Sequence, residues 1–363
     1  MSSGPLFTPF HLGHLTLPNR IVMAPMTRGF SPEAVPGPDV AAYYRRRAEG
    51  GVGLIVTEGT GINHPASLSG ATIPAFHGAQ ALAGWAKVAS EVHAAGGRIM
   101  PQLWHVGTER KAGDLPNADA PPFGPSGLNG KGEAVAASPG EREIEAIIAA
   151  YAEAAANAQK IGFDGIELHG AHGYLVDQFF WNVTNARTDR FGGDTAVRTR
   201  FAVEVIQACR RATSADFPIV LRFSQWKLAD YAAKPIKTAH ELESFLSPLT
   251  DAGVDIFHCS QRRFWEPEFE GSSLNLAGWT KKLSGKPTIT VGSVGLSAEM
   301  TSLADDVRHT DIAKVEKMLE DGEVDLVAVG RALLADPVWP MKVRAGRAAD
   351  LTPLTKQAFM QLT

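Results

Sequence analysis

The sequence predicts an α/β fold of the closed kind, a (β/α)8 TIM barrel with a capping excursion after the third strand. Three observations predict it. Eight short apolar runs recur along the chain, at residues 20–25, 53–58, 98–103, 164–168, 218–223, 255–259, 287–291 and 325–329. Stretches of helical period separate most of them. The runs themselves are almost continuously apolar, as strands are when both faces of a parallel sheet are covered. An open doubly wound sheet alternates in the same way. The count of eight favours the barrel, and no glycine-rich dinucleotide fingerprint follows the first strand.

The elements follow in order. The clearest helix spans 141–161, where Ile144, Ile147, Ile148, Tyr151, Ala155 and Ala158 line one stripe. Ser138-Pro139 opens it and Gly162 closes it. Two more helices are expected at 197–212 and at 238–252, the latter before Gly253. Two segments break the rhythm. Residues 107–140 are rich in Pro, Gly, Asn and Asp without periodicity, and are expected to form a lid or small cap on the active-site face. Residues 264–276, with Trp265 and Phe269, are a second excursion after the sixth strand. Neither has the size of a domain, so residues 1–363 read as one barrel domain.

Composition narrows the class. With 363 residues, the chain suits one barrel with insertions. A net charge of -4 argues against an electrostatic nucleic-acid or membrane surface. Residues 1–9 lack a secretory pattern, and no run reaches the roughly 18 apolar residues that span a membrane. Two cysteines, Cys209 and Cys259, cannot build a disulfide framework or hold an iron–sulfur cluster alone. A cytoplasmic location is expected.

The most informative stretch is Glu167-Leu168-His169-Gly170-Ala171-His172-Gly173-Tyr174. Two imidazoles and a phenol stand within six positions at the end of the fourth strand, where barrel enzymes carry their catalytic side chains. A satisfied strand end needs only turn chemistry. A lone histidine is most often a satisfied core residue, and His11, His14, His93 and His240 take that reading. His105 and His258, near strand ends, stay ambiguous. The cysteines read as small buried hydrophobes.

Several motifs, in order, resemble the old yellow enzyme family of FMN-dependent ene-reductases, the NADH:flavin oxidoreductase type. They are Leu6-Phe7-Thr8-Pro9-Phe10, the run from Pro18 through Ala24-Pro25-Met26-Thr27 to Arg28, Thr57-Glu58-Gly59-Thr60 and Gln102-Leu103-Trp104-His105. The most specific is Gly162 through Tyr174 with Gln178-Phe179, continuing as Asn185-Ala186-Arg187-Thr188-Asp189-Arg190-Phe191-Gly192-Gly193. Arg222, Gly292 and Gly330-Arg331 complete the set.

The resemblance implies non-covalent FMN, with NAD(P)H as electron donor. Gly292, Ser293, Gly330 and Arg331, in the loops after strands seven and eight, would hold the phosphate, since glycine admits backbone N–H groups and arginine offers a donor fork. Plain turn glycines are the alternative. Arg222 and Gln102 would face the pyrimidine edge of the flavin, and Thr27 its reactive carbonyl region; for Arg222 an ion pair with Glu58 or Glu167 is the structural alternative. Ala24, Pro25, Met26 and Gly59 would touch the ring. His169 and His172 would grip a substrate oxygen, Tyr174 would donate a proton, and Trp104 and Trp265, with Thr27, would wall the substrate pocket.

The implied cycle has NAD(P)H reduce FMN and leave. Hydride then passes to the β-carbon of an α,β-unsaturated carbonyl or nitro compound, with Tyr174 as proton donor. Two alternatives stand beside it: a barrel metal hydrolase using His169 and His172 with His105 or His258, and a non-catalytic flavin-binding protein. Arg344 and Arg347 leave a homo-oligomer open, with a solvated helix face as the plainer reading. The run Phe223-Ser224-Gln225-Trp226-Lys227 departs from the better-known members.

Overall fold

The eight apolar runs all become strands. The computed structural model of the chain describes residues 4–298 and 307–363; residues 1–3, the start of the stretch read for a leader, lie outside them. The strands are β3 (Ile21–Met23), β4 (Leu54–Gly61), β5 (Arg98–Trp104), β6 (Ile166–His172), β7 (Ile219–Lys227), β8 (Ile256–Ser260), β9 (Thr288–Val291) and β10 (Leu326–Val329). They pair in parallel and in sequence order, and β10 returns to β3 to close the barrel. Each residue of β4, β7 and β8 is buried, as expected of strands covered on both faces.

An antiparallel hairpin of β1 (Phe10–Leu12) and β2 (Leu15–Leu17) precedes the barrel. It packs Phe10, Leu15 and Leu17 with Val22, Leu54, Met100 and Ile256 of the strands. Its three-residue strands are too short to show a period, so the sequence reading had no signal for it.

The main helix runs Glu141–Lys160 and buries the whole expected stripe. Its start differs from expectation. Gly140 caps it, its N–H donating to Glu143 Oε2 at 2.8 Å, while Ser138 Oγ bonds the Pro125 carbonyl at 3.2 Å. Residue 238 opens its helix as expected: Thr238 Oγ1 accepts from the Glu241 amide at 3.2 Å.

The excursion 107–140 has a 3-10 turn at Gly107–Glu109 and is tied down by buried Arg110, which donates to the carbonyls of Leu68, Asp114, Asn117 and Ala120. Arg187 anchors its far end at the Pro125 and Pro139 carbonyls, both 2.8 Å.

Strand register places the chemistry. His169, Arg222 and His258 lie side by side across β6, β7 and β8. Beyond Gly170 the β6–β7 register shifts, so that His172 pairs with Lys227. His172 itself takes φ 68°, left-handed and uncommon for histidine. The strand therefore continues through the histidine pair, past the end expected at Leu168, and the irregularity turns His172 out of the ladder.

Candidate active site

A cavity of about 360 Å³ opens at the C-terminal ends of the barrel strands. Its walls include Ala24, Pro25, Met26 and Thr27 after β3, Gly59 on β4 and Gln102 and Trp104 on β5. His169, His172 and Tyr174 come from β6 and its exit, Arg222 from β7, Gly292 and Ser293 from the loop after β9, and Gly330 and Arg331 from the loop after β10. The eleven residues expected around a flavin thus share one cavity, together with five of the six expected around a substrate.

Trp265 is the exception. It lies outside the cavity wall, packing edge-on against Phe264 at 5.3 Å, with its carbonyl taking a hydrogen bond from Lys314 Nζ at 2.8 Å. The excursion 107–140 contributes none of the described residues lining the cavity. Its Glu109 nevertheless acts on Tyr174 electrostatically.

Trp226 supplies the aromatic wall that Trp265 does not. It stacks on His172 at 4.3 Å with 26° between planes, and on Tyr231 at 5.6 Å. Ser260, Gln261, Arg262, Leu228, Arg28 and Phe359 also line the site and were missed. Trp226 lay in the run that departs from the better-known relatives. That was the available signal. Ser260 directly follows the apolar run 255–259, at a strand's C-terminal end, and position there was its only signal.

At the exit of β6 the rings touch. His169 and His172 lie 5.1 Å apart by centroid, His169 and Tyr174 5.2 Å, and Trp104 meets Tyr174 edge-on at 4.9 Å. Burial, reinforced by the Arg222 charge, pushes both imidazoles well below their usual range, so both are neutral at pH 7. Burial, with smaller contributions from Glu109 and Tyr231, lifts the Tyr174 phenol to about 12. The site therefore presents a protonated phenol beside two neutral imidazoles.

Beneath them lies a buried polar network. Gln102 Nε2 donates to Glu167 Oε1 at 2.7 Å, and His258 Nδ1 meets Glu167 Oε2 at 2.6 Å. Burial opposes ionisation of Glu167, but His258, Arg222 and Gln102 outweigh it and hold the carboxyl below its ordinary value. His258 is held neutral by burial, so it donates Nδ1–H to the carboxylate. Arg222 has Glu167 as its carboxylate neighbour, while its hydrogen bond goes to Ser260 Oγ at 3.3 Å. Glu58 is engaged elsewhere, accepting from the Arg28 and Gly29 amides at 2.8 and 2.9 Å.

The remaining candidates resolve plainly. His105 is buried and bonds His64 at 2.9 Å, away from the cavity. His11, His14 and His240 are exposed, contrary to the core reading, and His93 is half-buried against Asp164 at 2.7 Å. His11 and His14 sit on the short hairpin, His240 opens the helix Ala239–Asp251 and His93 lies in the last turn of the helix Ala79–Ala94, and nothing in their sequence neighbours distinguishes these places from a core. Arg344 lies over the Phe7 ring and Arg347 faces Asp350 at 3.8 Å. Both cysteines are buried free thiols.

The residues fit an anionic, hydrogen-bonding cofactor. Arg28, Arg222, Arg262 and Arg331 line the cavity, and none of its described lining residues is a carboxylate. Arg222 Nε and His169 Nδ1 are buried without a hydrogen-bond partner, at a cost unless a bound group meets them. Gly59 keeps its wall thin: a Cβ there would stand 2.5 Å from Trp104 Cε3. Among the described residues no cluster of three His, Cys, Asp or Glu side chains could hold a metal ion, so the hydrolase alternative gains no support.

Comparison with known proteins agrees. The NADH:flavin oxidoreductase / NADH oxidase family matches residues 5–350. NADH oxidase of Thermoanaerobacter brockii is 35% identical over 358 residues, 95% of this chain and 52% of that protein. The chain thus spans about half the length of that relative. 12-oxophytodienoate reductase 7 of Oryza sativa subsp. japonica is 34% identical over 359 residues, 92% of this chain and 86% of that protein. Among solved structures, morphinone reductase in complex with tetrahydroNAD superposes with a TM-score of 0.82 at 29% identity, covering 98% of this chain and 93% of the other. The old yellow enzyme homologue from Zymomonas mobilis gives 0.80 at 25%, covering 98% and 96%.

Proposed function

The chain belongs to the NADH:flavin oxidoreductase / NADH oxidase family, and from that premise we propose that it is an FMN-dependent ene-reductase driven by NAD(P)H. One observation carries the reading. His169, His172 and Tyr174 stand ring against ring on one wall of a cavity whose lining also carries four arginines and three glycines. A relative solved with tetrahydroNAD supports a nicotinamide as the donor.

Arg331, Gly330, Gly292 and Ser293 would hold the FMN phosphate, and Gln102, Arg222 and Thr27 would hold its ring. When bound, the flavin accepts two electrons from the nicotinamide and supplies them as hydride to an electron-poor double bond. Everything else is work for the chain. His169 and His172 donate hydrogen bonds to the carbonyl or nitro oxygen of the acceptor, which draws charge toward that oxygen and stabilises the enolate-like product. Burial keeps both rings uncharged at neutral pH, and each neutral imidazole still carries one N–H donor. Tyr174 delivers the proton to the α-carbon. With a pKa near 12 it is fully protonated in the working range. Trp104 and Trp226 flank the acceptor and exclude water.

Because donor and acceptor would use one cavity in turn, ping-pong kinetics are expected. The test is spectroscopic. Purified protein loaded with FMN should bleach on anaerobic addition of NADH or NADPH and regain its colour with 2-cyclohexenone. Reduction without recovery by any enone or nitroalkene would keep the flavin and remove the ene-reductase reading.

A further inference from the structure

Ser260, at the end of β8, touches both halves of the site. Its Oγ accepts from Arg222 Nη2 at 3.3 Å and lies 2.8 Å from His172 Nε2. The residue is 2% exposed, at the wall of the cavity. Arg222 can only donate. A buried hydroxyl that accepts from a guanidinium still needs an acceptor for its own hydrogen. Among the described residues His172 Nε2 is the acceptor within reach.

We propose that Ser260 is a positioning residue that fixes the tautomer of His172: the serine hydroxyl donates to Nε2, which leaves Nε2 bare and puts the proton on Nδ1. Nδ1–H is then the donor that His172 offers to substrate. The substrate role rests on the ene-reductase reading, whereas the tautomer does not.

The surroundings hold this arrangement on three sides. Trp226 stacks on the imidazole and sets its plane, while its Nε1 donates to the Ser260 carbonyl at 3.2 Å. The same indole therefore braces both partners. The backbone is pinned as well. His172 N–H donates to Ser224 Oγ at 2.9 Å, and its carbonyl accepts from the Leu228 amide at 3.1 Å. These bonds hold a histidine at φ 68°, where it would not otherwise rest. With plane and backbone fixed, the remaining freedom is which nitrogen carries the proton, and Ser260 decides it. Burial, and after it the Arg222 charge, opposes protonation of His172, so the ring holds one proton and has to choose.

The test is nitrogen NMR of the oxidised, FMN-loaded protein labelled with 15N-histidine, with the His172 signals identified from a His172→Gln variant. The expected wild-type spectrum has His172 with protonated Nδ1 and bare Nε2. Ser260→Ala should lose that preference, and Ser260→Thr, which keeps the hydroxyl, should restore it. Enone kcat/KM should fall roughly two- to ten-fold in Ser260→Ala, the worth of one hydrogen bond, and recover in Ser260→Thr. A wild-type spectrum with protonated Nε2, or a Ser260→Ala spectrum unchanged from wild type, overturns the proposal. If the tautomer shifts as expected while enone turnover stays at the wild-type rate, the assignment to Ser260 stands and His172 loses its place as substrate donor.

Discussion

Replacing Tyr174 by Phe isolates proton transfer from everything else the site does. The ring contacts survive the change: edge-on packing against Trp104 at 4.9 Å and contact with His169 at 5.2 Å need no hydroxyl. Only the proton is removed. In the wild type it is held firmly, because burial and then Glu109 and Tyr231 lift the phenol to about 12. At pH 7 the ionised fraction is on the order of 10⁻⁵. General acid catalysis contributes roughly 10²- to 10⁴-fold, equivalent to about 3–5 kcal/mol of barrier. Anaerobic stopped-flow separates the halves of the cycle. Flavin reduction by NAD(P)H should stay within about two-fold of wild type, while reoxidation by 2-cyclohexenone should slow by roughly that 10²- to 10⁴-fold. The wild-type reoxidation rate should also show no loss from phenol ionisation until the pH nears 12. Reoxidation of Tyr174→Phe at close to the wild-type rate would refute the assignment, since no other phenol lies on the His169 wall of the cavity among the described residues.

Three further outcomes are expected. Arg331→Ala should weaken FMN binding roughly ten- to hundred-fold, the worth of a charge-assisted hydrogen bond, as read by fluorescence titration of flavin-free protein; unchanged affinity would return Gly330 and Arg331 to ordinary turn residues. Lys227 Nζ and Asp177 Oδ1 form a buried pair at 2.7 Å, with Asp177 Oδ2 also accepting the Gly173 amide at 2.7 Å, in the turn between His172 and Tyr174. Lys227→Met strands the carboxylate and should cost about 3–5 kcal/mol in urea unfolding, part of which Lys227→Met with Asp177→Asn should recover. Burial raises the Glu58 carboxyl from 4.5 to about 7 against the opposing Gly29 and Arg28 amides. A folded value above the unfolded one means its stabilising contribution is present in full below pH 4.5 and lost as pH rises through 7, roughly 3 kcal/mol in all. Glu58→Gln cannot ionise, so melting temperatures across this window should fall less steeply than in the wild type; parallel curves would disprove the linkage.

The sequence by itself determined the barrel, because each strand and helix is encoded locally. The eight apolar runs match β3 to β10 within a few residues, and the stripe of Ile144, Ile147, Tyr151 and Ala155 is buried as its period requires. It also determined most of the cavity wall, since strand C-terminal ends converge in a closed parallel barrel and the residues at those ends meet whatever the loops do. The tertiary structure alone decided what depends on register and loop path. The shift after Gly170 carries β6 past Leu168 to His172 and turns that imidazole toward Ser260, 88 residues away in sequence. The extended end of β7 brings Trp226 onto His172, while the loop after β8 takes Trp265 out of the cavity. The hairpin of Phe10–Leu12 and Leu15–Leu17 was illegible because two three-residue strands carry no period. Histidines 11, 14 and 240 proved exposed because burial is a property of what packs above a residue, which its sequence neighbours do not record.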